Sequence, residues 1–189
     1  MITKIKDTLL DSSRTLAKTA EQAELIEMFA KQMIRTIRSG GKILVCGNGG
    51  SAADAQHFAC ELVGSFMDKK RKALPVIALT TNSSSLTSIG NDFDFTEVFR
   101  REVEALGRPG DMLVAITTSG NSPNVLKAVE QARSQKMTVI GMSGGTGGNL
   151  KAQCDLCLVV PNGVTPRIQE AHIAVIHTVC ALAEAELSK

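Results

Sequence analysis

The sequence predicts an α/β fold of three layers: a parallel sheet of about five strands with helices on both faces, preceded by an N-terminal helical segment. Two observations predict it. Short apolar runs recur at residues 43–46, 76–79, 112–116, 139–142 and 156–160, and each is continuous rather than alternating, as suits strands buried on both faces. Stretches of helical periodicity lie between them, and strand–helix alternation implies right-handed crossovers and a parallel sheet covered on both sides.

The elements follow in order. Residues 2–38 carry apolar side chains at helical spacing: Ile2, Ile5, Leu9 and Leu10, then Leu25, Ile26, Met28, Phe29, Met33, Ile34 and Ile37. Ser39-Gly40-Gly41 ends that run. Further helices are expected over 52–64, 84–106 and 123–135, with a weaker short one near 147–152 and a final one over about 166–187. Pro123 is well placed to open its helix. The chain has 189 residues and shows no repeat, low-complexity tract or linker. It is therefore read as one domain over 1–189, with the N-terminal helices of 1–40 part of the same unit.

Composition excludes several classes of function. Twenty-one Lys and Arg against nineteen Asp and Glu leave a formal charge of +2, too balanced for non-specific nucleic-acid binding. Trp and Tyr are absent and only six Phe are present, so a stacking platform for bases or sugars is not expected. No apolar run approaches the ~20 residues that span a bilayer. The N-terminus mixes Lys4, Lys6, Asp7 and Asp11 with its apolar residues, unlike a signal peptide, and the chain is read as cytoplasmic. Its five cysteines are scattered; Cys154 and Cys157 form one C-x-x-C, but no second pair completes a zinc site, and they are read as structural.

Ligands of open parallel sheets sit beyond the carboxyl ends of the strands. The first strand runs into Gly47-Asn48-Gly49-Gly50-Ser51-Ala52, where glycines let the backbone approach an anion at a helix N-terminus. The loop also fits the dinucleotide pattern G-x-G-x-x-A, but the acid at the right distance, Asp68, is followed by Lys69-Lys70-Arg71-Lys72 in what reads as a loop, so that reading is set aside. The third strand runs into Thr117-Thr118-Ser119-Gly120-Asn121-Ser122. Hydroxyls and N–H groups around one glycine, without a Gly-Lys-Ser/Thr, suit a phosphate monoester better than a nucleotide triphosphate.

Three histidines carry the remaining chemistry. His57 and Glu61 are four residues apart, a turn of about 400°, so they share one helix face just after the glycine loop. Such a pair is commonly a surface pair; its place beside the loop makes it a candidate site. His172 and His177 point roughly 140° apart on the last helix and cannot both face one site. His172 is read as a buried, hydrogen-bonded or interface residue. Gln169 and His177 are only some 80° apart, but about 12 Å apart along a straight helix.

The two loops, together with Arg167-Ile168-Gln169-Glu170-Ala171-His172, resemble the sugar isomerase (SIS) domain family over essentially the whole chain, and within it the bacterial phosphoheptose isomerases, also called sedoheptulose 7-phosphate isomerases. That family carries D-A-x-H-F-A-x-E, matched by Asp54 to Glu61, and R-I-Q-E-x-H-x-x-x-x-H, matched by Arg167 to His177. The resemblance implies His57, Glu61, Gln169 and His177 as zinc ligands, one ion per site. It implies substrate contacts at Asn48, Gly49, Gly50, Glu61, Asn91, Asp92, Thr117, Thr118, Ser119, Ser122 and Gln169. Thr117 stands where relatives often have Ser and keeps the hydroxyl. The segment 68–74 is slightly longer and more basic than in relatives.

The implied activity is an aldose–ketose isomerase acting on sedoheptulose 7-phosphate, with Glu61 as base and His177 as its acid partner, toward the heptose of lipopolysaccharide. The resemblance also implies a homo-oligomer, a tetramer, and the ~12 Å rise from Gln169 to His177 suggests sites shared between chains; the alternative is that Gln169 lies before the helix proper, which would shorten the span. An alternative is a non-catalytic SIS-domain regulator that binds the bacterial replication initiator protein. In that relative the Glu and second His of the zinc set are replaced, so Glu61 and His177 favour the enzyme. A sugar-phosphate-sensing regulator would carry an attached DNA-binding domain, for which 189 residues leave no room.

Overall fold

The computed structural model describes residues 1–188. Its parallel sheet has five strands: β1 (Ile43–Gly47), β2 (Val76–Ala78), β3 (Met112–Ile116), β4 (Thr138–Gly144) and β5 (Leu156–Val160). The helices are α1 (Ile2–Ala20), α2 (Ala23–Arg38), α3 (Gly50–Val63), α4 (Ser83–Asp92), α5 (Val98–Leu106), α6 (Pro123–Ser134) and α7 (Thr165–Leu187). The three-layer α/β expectation holds.

Strand order is β2-β1-β3-β4-β5, every pair parallel, with Val45 facing both Ala78 and Val114. β1 is followed by a strand on one side and β3 by strands on the other, so the winding reverses between them. A crevice opens at the carboxyl ends of such a pair. The two loops singled out in the sequence leave these two strands.

Alternate residues of each strand feed two cores. Ile43, Val45, Met112, Val114 and Ile116 pack with Phe29, Phe58, Leu62, Ile176 and Val179 beneath α2, α3 and α7. Leu44, Cys46, Leu113 and Ala115 pack with Phe99, Val103, Val125 and Val129 beneath α5 and α6. The helices bearing His57, Glu61 and His177 therefore share one face of the sheet.

The N-terminal segment is a pair of helices that meet at Glu21 and Gln22, where the Gln22 amide donates to the Val159 carbonyl at 2.9 Å. Two expected helices differ. The 84–106 stretch splits at Phe93 and Asp94. Asp94 is extended, and its carboxylate caps a 3₁₀ turn over Phe95–Glu97 by accepting from the Thr96 N–H. The weak helix near 147–152 is only a 3₁₀ turn, Lys151–Gln153. Among the described residues, no helix is long and apolar enough to cross a membrane.

Candidate active site

The glycine loop turns sharply into α3. Gly49 caps the helix at φ +56°, a conformation that favours glycine, and no side chain caps the first turn. Within the first turn the Ser51 N–H donates to the Asn48 carbonyl at 2.9 Å, and those of Ala52 and Ala53 donate to the Gly49 carbonyl at 3.0 and 3.1 Å. At Gly50 the Gln169 amide of α7 packs directly on α3: a Cβ there would lie 2.2 Å from its nitrogen, so a larger residue would displace that side chain.

The second loop gathers hydroxyls. The Thr117 side chain, nearly buried, lies 2.8 Å from the Ser122 hydroxyl and 3.3 Å from that of Ser119. Ser122 is the N-cap of α6, yet its side chain turns to Thr117 instead of capping. Gly120, at φ +69°, packs so closely on Gly147 that a Cβ would meet its carbonyl oxygen at 2.0 Å. Thr118 is half-buried and Ser119 exposed.

One residue that the sequence reading passed over joins these loops. Asn124 is 3% exposed, and its amide exchanges two 2.8 Å hydrogen bonds with the Asn48 amide across the crevice. The signal available in the sequence was an amide in the first turn of a helix otherwise built to bury apolar residues. Asn91 and Asp92 stand exposed at the end of α4, where Asn91 donates to the Asp92 carboxylate at 2.8 Å.

α3 and α7 run side by side in the same direction, Gly50 against Gln169 and His57 against His177. The His57 Nε2 lies 2.8 Å from Glu61 Oε1 and 3.0 Å from His177 Nε2. Ligand atoms of all three residues lie within 4.8 Å of one another. A single proton on His57 Nε2 cannot serve both neighbours well, because a protonated ring nitrogen has no lone pair left to accept with. A cation would satisfy all three, and two imidazoles with a carboxylate suit a borderline ion such as zinc. Phe66 flanks the cluster, its ring centre 5.7 Å from that of His177.

Gln169 is not in this cluster. Its amide packs on Gly50, seven residues before His57, which is about 10 Å along α3. Asp54, part of the matched motif but given no role, lies one turn before His57 with a buried, unpartnered carboxylate oxygen. Burial pushes its carboxyl up to about 6, against the pull of His57. His172 is fully buried, with Nε2 3.1 Å from the Ser143 carbonyl oxygen. Burial takes it down to about 4, opposed by that contact.

Cys154 and Cys157 are half-buried, and both sulfurs crowd the space above Gly141. Their mutual hydrogen bond raises the Cys154 thiol and lowers that of Cys157. Among the described residues they belong to no three-ligand group.

The SIS domain family model matches residues 10–144. The phosphoheptose isomerase of Rhodospirillum rubrum is 57% identical over 149 residues, 79% of each chain. That of Aliarcobacter butzleri is 51% identical over 180 residues, 95% of each. The solved phosphoheptose isomerase of Francisella tularensis is 39% identical, with a TM-score of 0.94 over 97% of this chain and 98% of its own. The family match ends before β5 and α7, whereas the similarity to the Francisella tularensis structure covers nearly the whole chain. The chain belongs to the SIS-domain family, in its phosphoheptose isomerase branch.

Proposed function

We propose that this protein is an aldose–ketose isomerase that converts sedoheptulose 7-phosphate to D-glycero-D-manno-heptose 7-phosphate through an enediol, for lipopolysaccharide precursor synthesis. The observation that carries the reading is the meeting of Glu61 with His57 and His177 below the crevice between β1 and β3. It stands in a chain 51–57% identical to phosphoheptose isomerases. A regulator without chemistry would have no need of this convergence.

The hydroxyls of Thr117, Thr118, Ser119 and Ser122, at the positive end of α6, receive the phosphate. About two turns of α3 separate its first residue from His57, a span comparable with an extended seven-carbon sugar. Binding the remote phosphate orients the reacting end and supports the reaction there. Asn48, Gly49, Gly50, Asn91 and Asp92 border the sugar. Glu61 removes the C1 proton of the ketose and returns it at C2, while His177 moves the proton between the two oxygens. His57, Glu61 and His177 would hold zinc, which when bound polarises the carbonyl or holds the sugar oxygens.

Gln169 enters as fourth ligand from a neighbouring copy, since its own lies about 10 Å along α3 from His57. The protein then works as a homo-oligomer, a tetramer, with shared sites. α1 exposes Ile2, Ile5, Leu9 and Leu10, natural interface material. Incubation with sedoheptulose 7-phosphate followed by NMR of the products tests the function: appearance of the aldose supports it, and recovery of unchanged ketose refutes it.

A further inference from the structure

The basic run Lys69-Lys70-Arg71-Lys72 follows α3 and leads toward β2. Its arginine is unlike its neighbours: the Arg71 side chain is fully buried against Glu184 of α7, itself 4% exposed, with Nε donating to Oε1 at 2.6 Å. The guanidinium fork also donates to the carbonyls of Glu61 at 2.6 Å, Leu62 at 2.7 Å and Lys72 at 3.0 Å. The first two belong to the last turn of α3, whose carbonyls lack partners within the helix. The Glu184 carboxylate in turn accepts the backbone N–H groups of Phe66 at 3.0 Å, Met67 at 2.6 Å and Asp68 at 2.9 Å. Burial alone would raise Glu184, but Arg71 and these N–H groups outweigh it and hold the carboxyl at about 2.

Two of these bonds end on residues of the candidate active site. Glu61 is tied by its own carbonyl. Phe66 is tied by its own N–H, and its ring packs on His177. Glu184 follows His177 by seven residues, a turn of about 700°, so the two lie on one face of α7 about two turns apart. Desolvating two charges costs several kcal/mol, and an apolar pair would fill the space without that cost. What the charged pair adds is direction, because a planar fork and a carboxylate fix the rotation and axial shift of α3 against α7.

We propose that the Arg71–Glu184 pair is the positioning device of the site, holding Glu61 and Phe66 in register with His177. Arg71 and Glu184 are positioning residues and touch no substrate. The consequence for turnover rests on the isomerase reading; the geometric consequence does not. A displacement of about 1 Å in a catalytic constellation costs up to ~10²-fold in rate.

The test uses Glu184→Gln and Arg71→Lys in the full-length protein, with Glu184→Asp as the conservative variant. Turnover of sedoheptulose 7-phosphate is measured together with histidine-selective ¹³C NMR, for which the chain offers only three residues. In Glu184→Gln the His177 signal moves, because its Phe66 neighbour and its spacing from Glu61 change, while His172, held by the Ser143 carbonyl, stays. kcat falls at least about tenfold with KM within about threefold, and Glu184→Asp recovers part of both changes. Should Glu184→Gln not fold, Arg71→Lys keeps the charge pair and removes part of the fork, with the same expected pattern. A folded variant with an unmoved His177 signal overturns the proposal. So does a moved signal with kcat within twofold of an active wild type. If the wild type does not turn over this sugar, the functional reading fails and the His177 signal alone decides the positioning.

Discussion

His172 provides a measure of burial that can be read in solution. Its ring is fully buried and its pKa is lowered from 6.5 to about 4. The folded protein thus holds it neutral, whereas the unfolded chain takes up a proton once the pH falls below 6.5. Stability from this residue is complete above pH 6.5 and is lost as the pH falls toward 4. The two values give a loss of about 1.4 kcal/mol at pH 5.5 and about 3 kcal/mol at pH 4. Two carboxyls work the other way. Burial raises Asp54 to about 6 and Glu102 to about 7, so both favour the folded state as the pH falls. The wild-type curve alone therefore mixes opposing slopes, and the clean quantity is the difference from His172→Gln. Gln keeps a donor toward the Ser143 carbonyl and does not titrate. Urea unfolding of both proteins at one protein concentration, from pH 7 to pH 4, should show the stability difference narrowing by about 3 kcal/mol. Curves that stay parallel within about 0.5 kcal/mol would show that His172 is not held neutral and would refute the argument from burial.

Other outcomes follow from the same geometry. Anomalous scattering at the zinc edge should place one ion per site at ~2.0–2.2 Å from His57, Glu61, His177 and a neighbour's Gln169; protein prepared without chelator and supplied with zinc that stays empty contradicts this. A refolded mixture of inactive Gln169→Ala and His177→Ala should regain activity if the two residues come from different copies, and verified mixed oligomers that stay inactive would place both in one chain. Asn124→Ala leaves the Asn48 amide without its partner, so it should cost about 1–3 kcal/mol in stability and raise KM at least about threefold. A folded Asn124→Ala protein with unchanged KM would show that the amide pair does not shape the crevice.

Much of the fold was legible because both faces of the sheet are buried. Ile43 through Cys46 must then all be apolar, and such runs announce strands without any alternation. The loops were legible through their glycines, and the His57–Glu61 pair through helical spacing, since both depend on residues close in the chain. The break at Asp94 was not, because its cause is a side-chain cap on the Thr96 N–H that helical periodicity does not register. Asn124 and Arg71 were hidden for a related reason. Their partners, Asn48 and Glu184, lie 76 and 113 residues away, and a buried arginine in a run of lysines reads as surface until its acid is located. The Gln169 and His177 spacing showed that one helix holds them apart, but not what either meets; α7 places the first on Gly50 and the second on His57.

The proposed role of Glu61, moving a carbon-bound proton of a phosphosugar, can be followed by NMR of sedoheptulose 7-phosphate in D₂O with the zinc-supplied wild type and with Glu61→Gln. The wild type should give aldose product with deuterium at C2, drawn from a base that exchanges with solvent. A folded Glu61→Gln protein should turn over at least ~10²-fold more slowly. Unchanged ketose with the wild type, or Glu61→Gln turnover within threefold of it, would rule that role out.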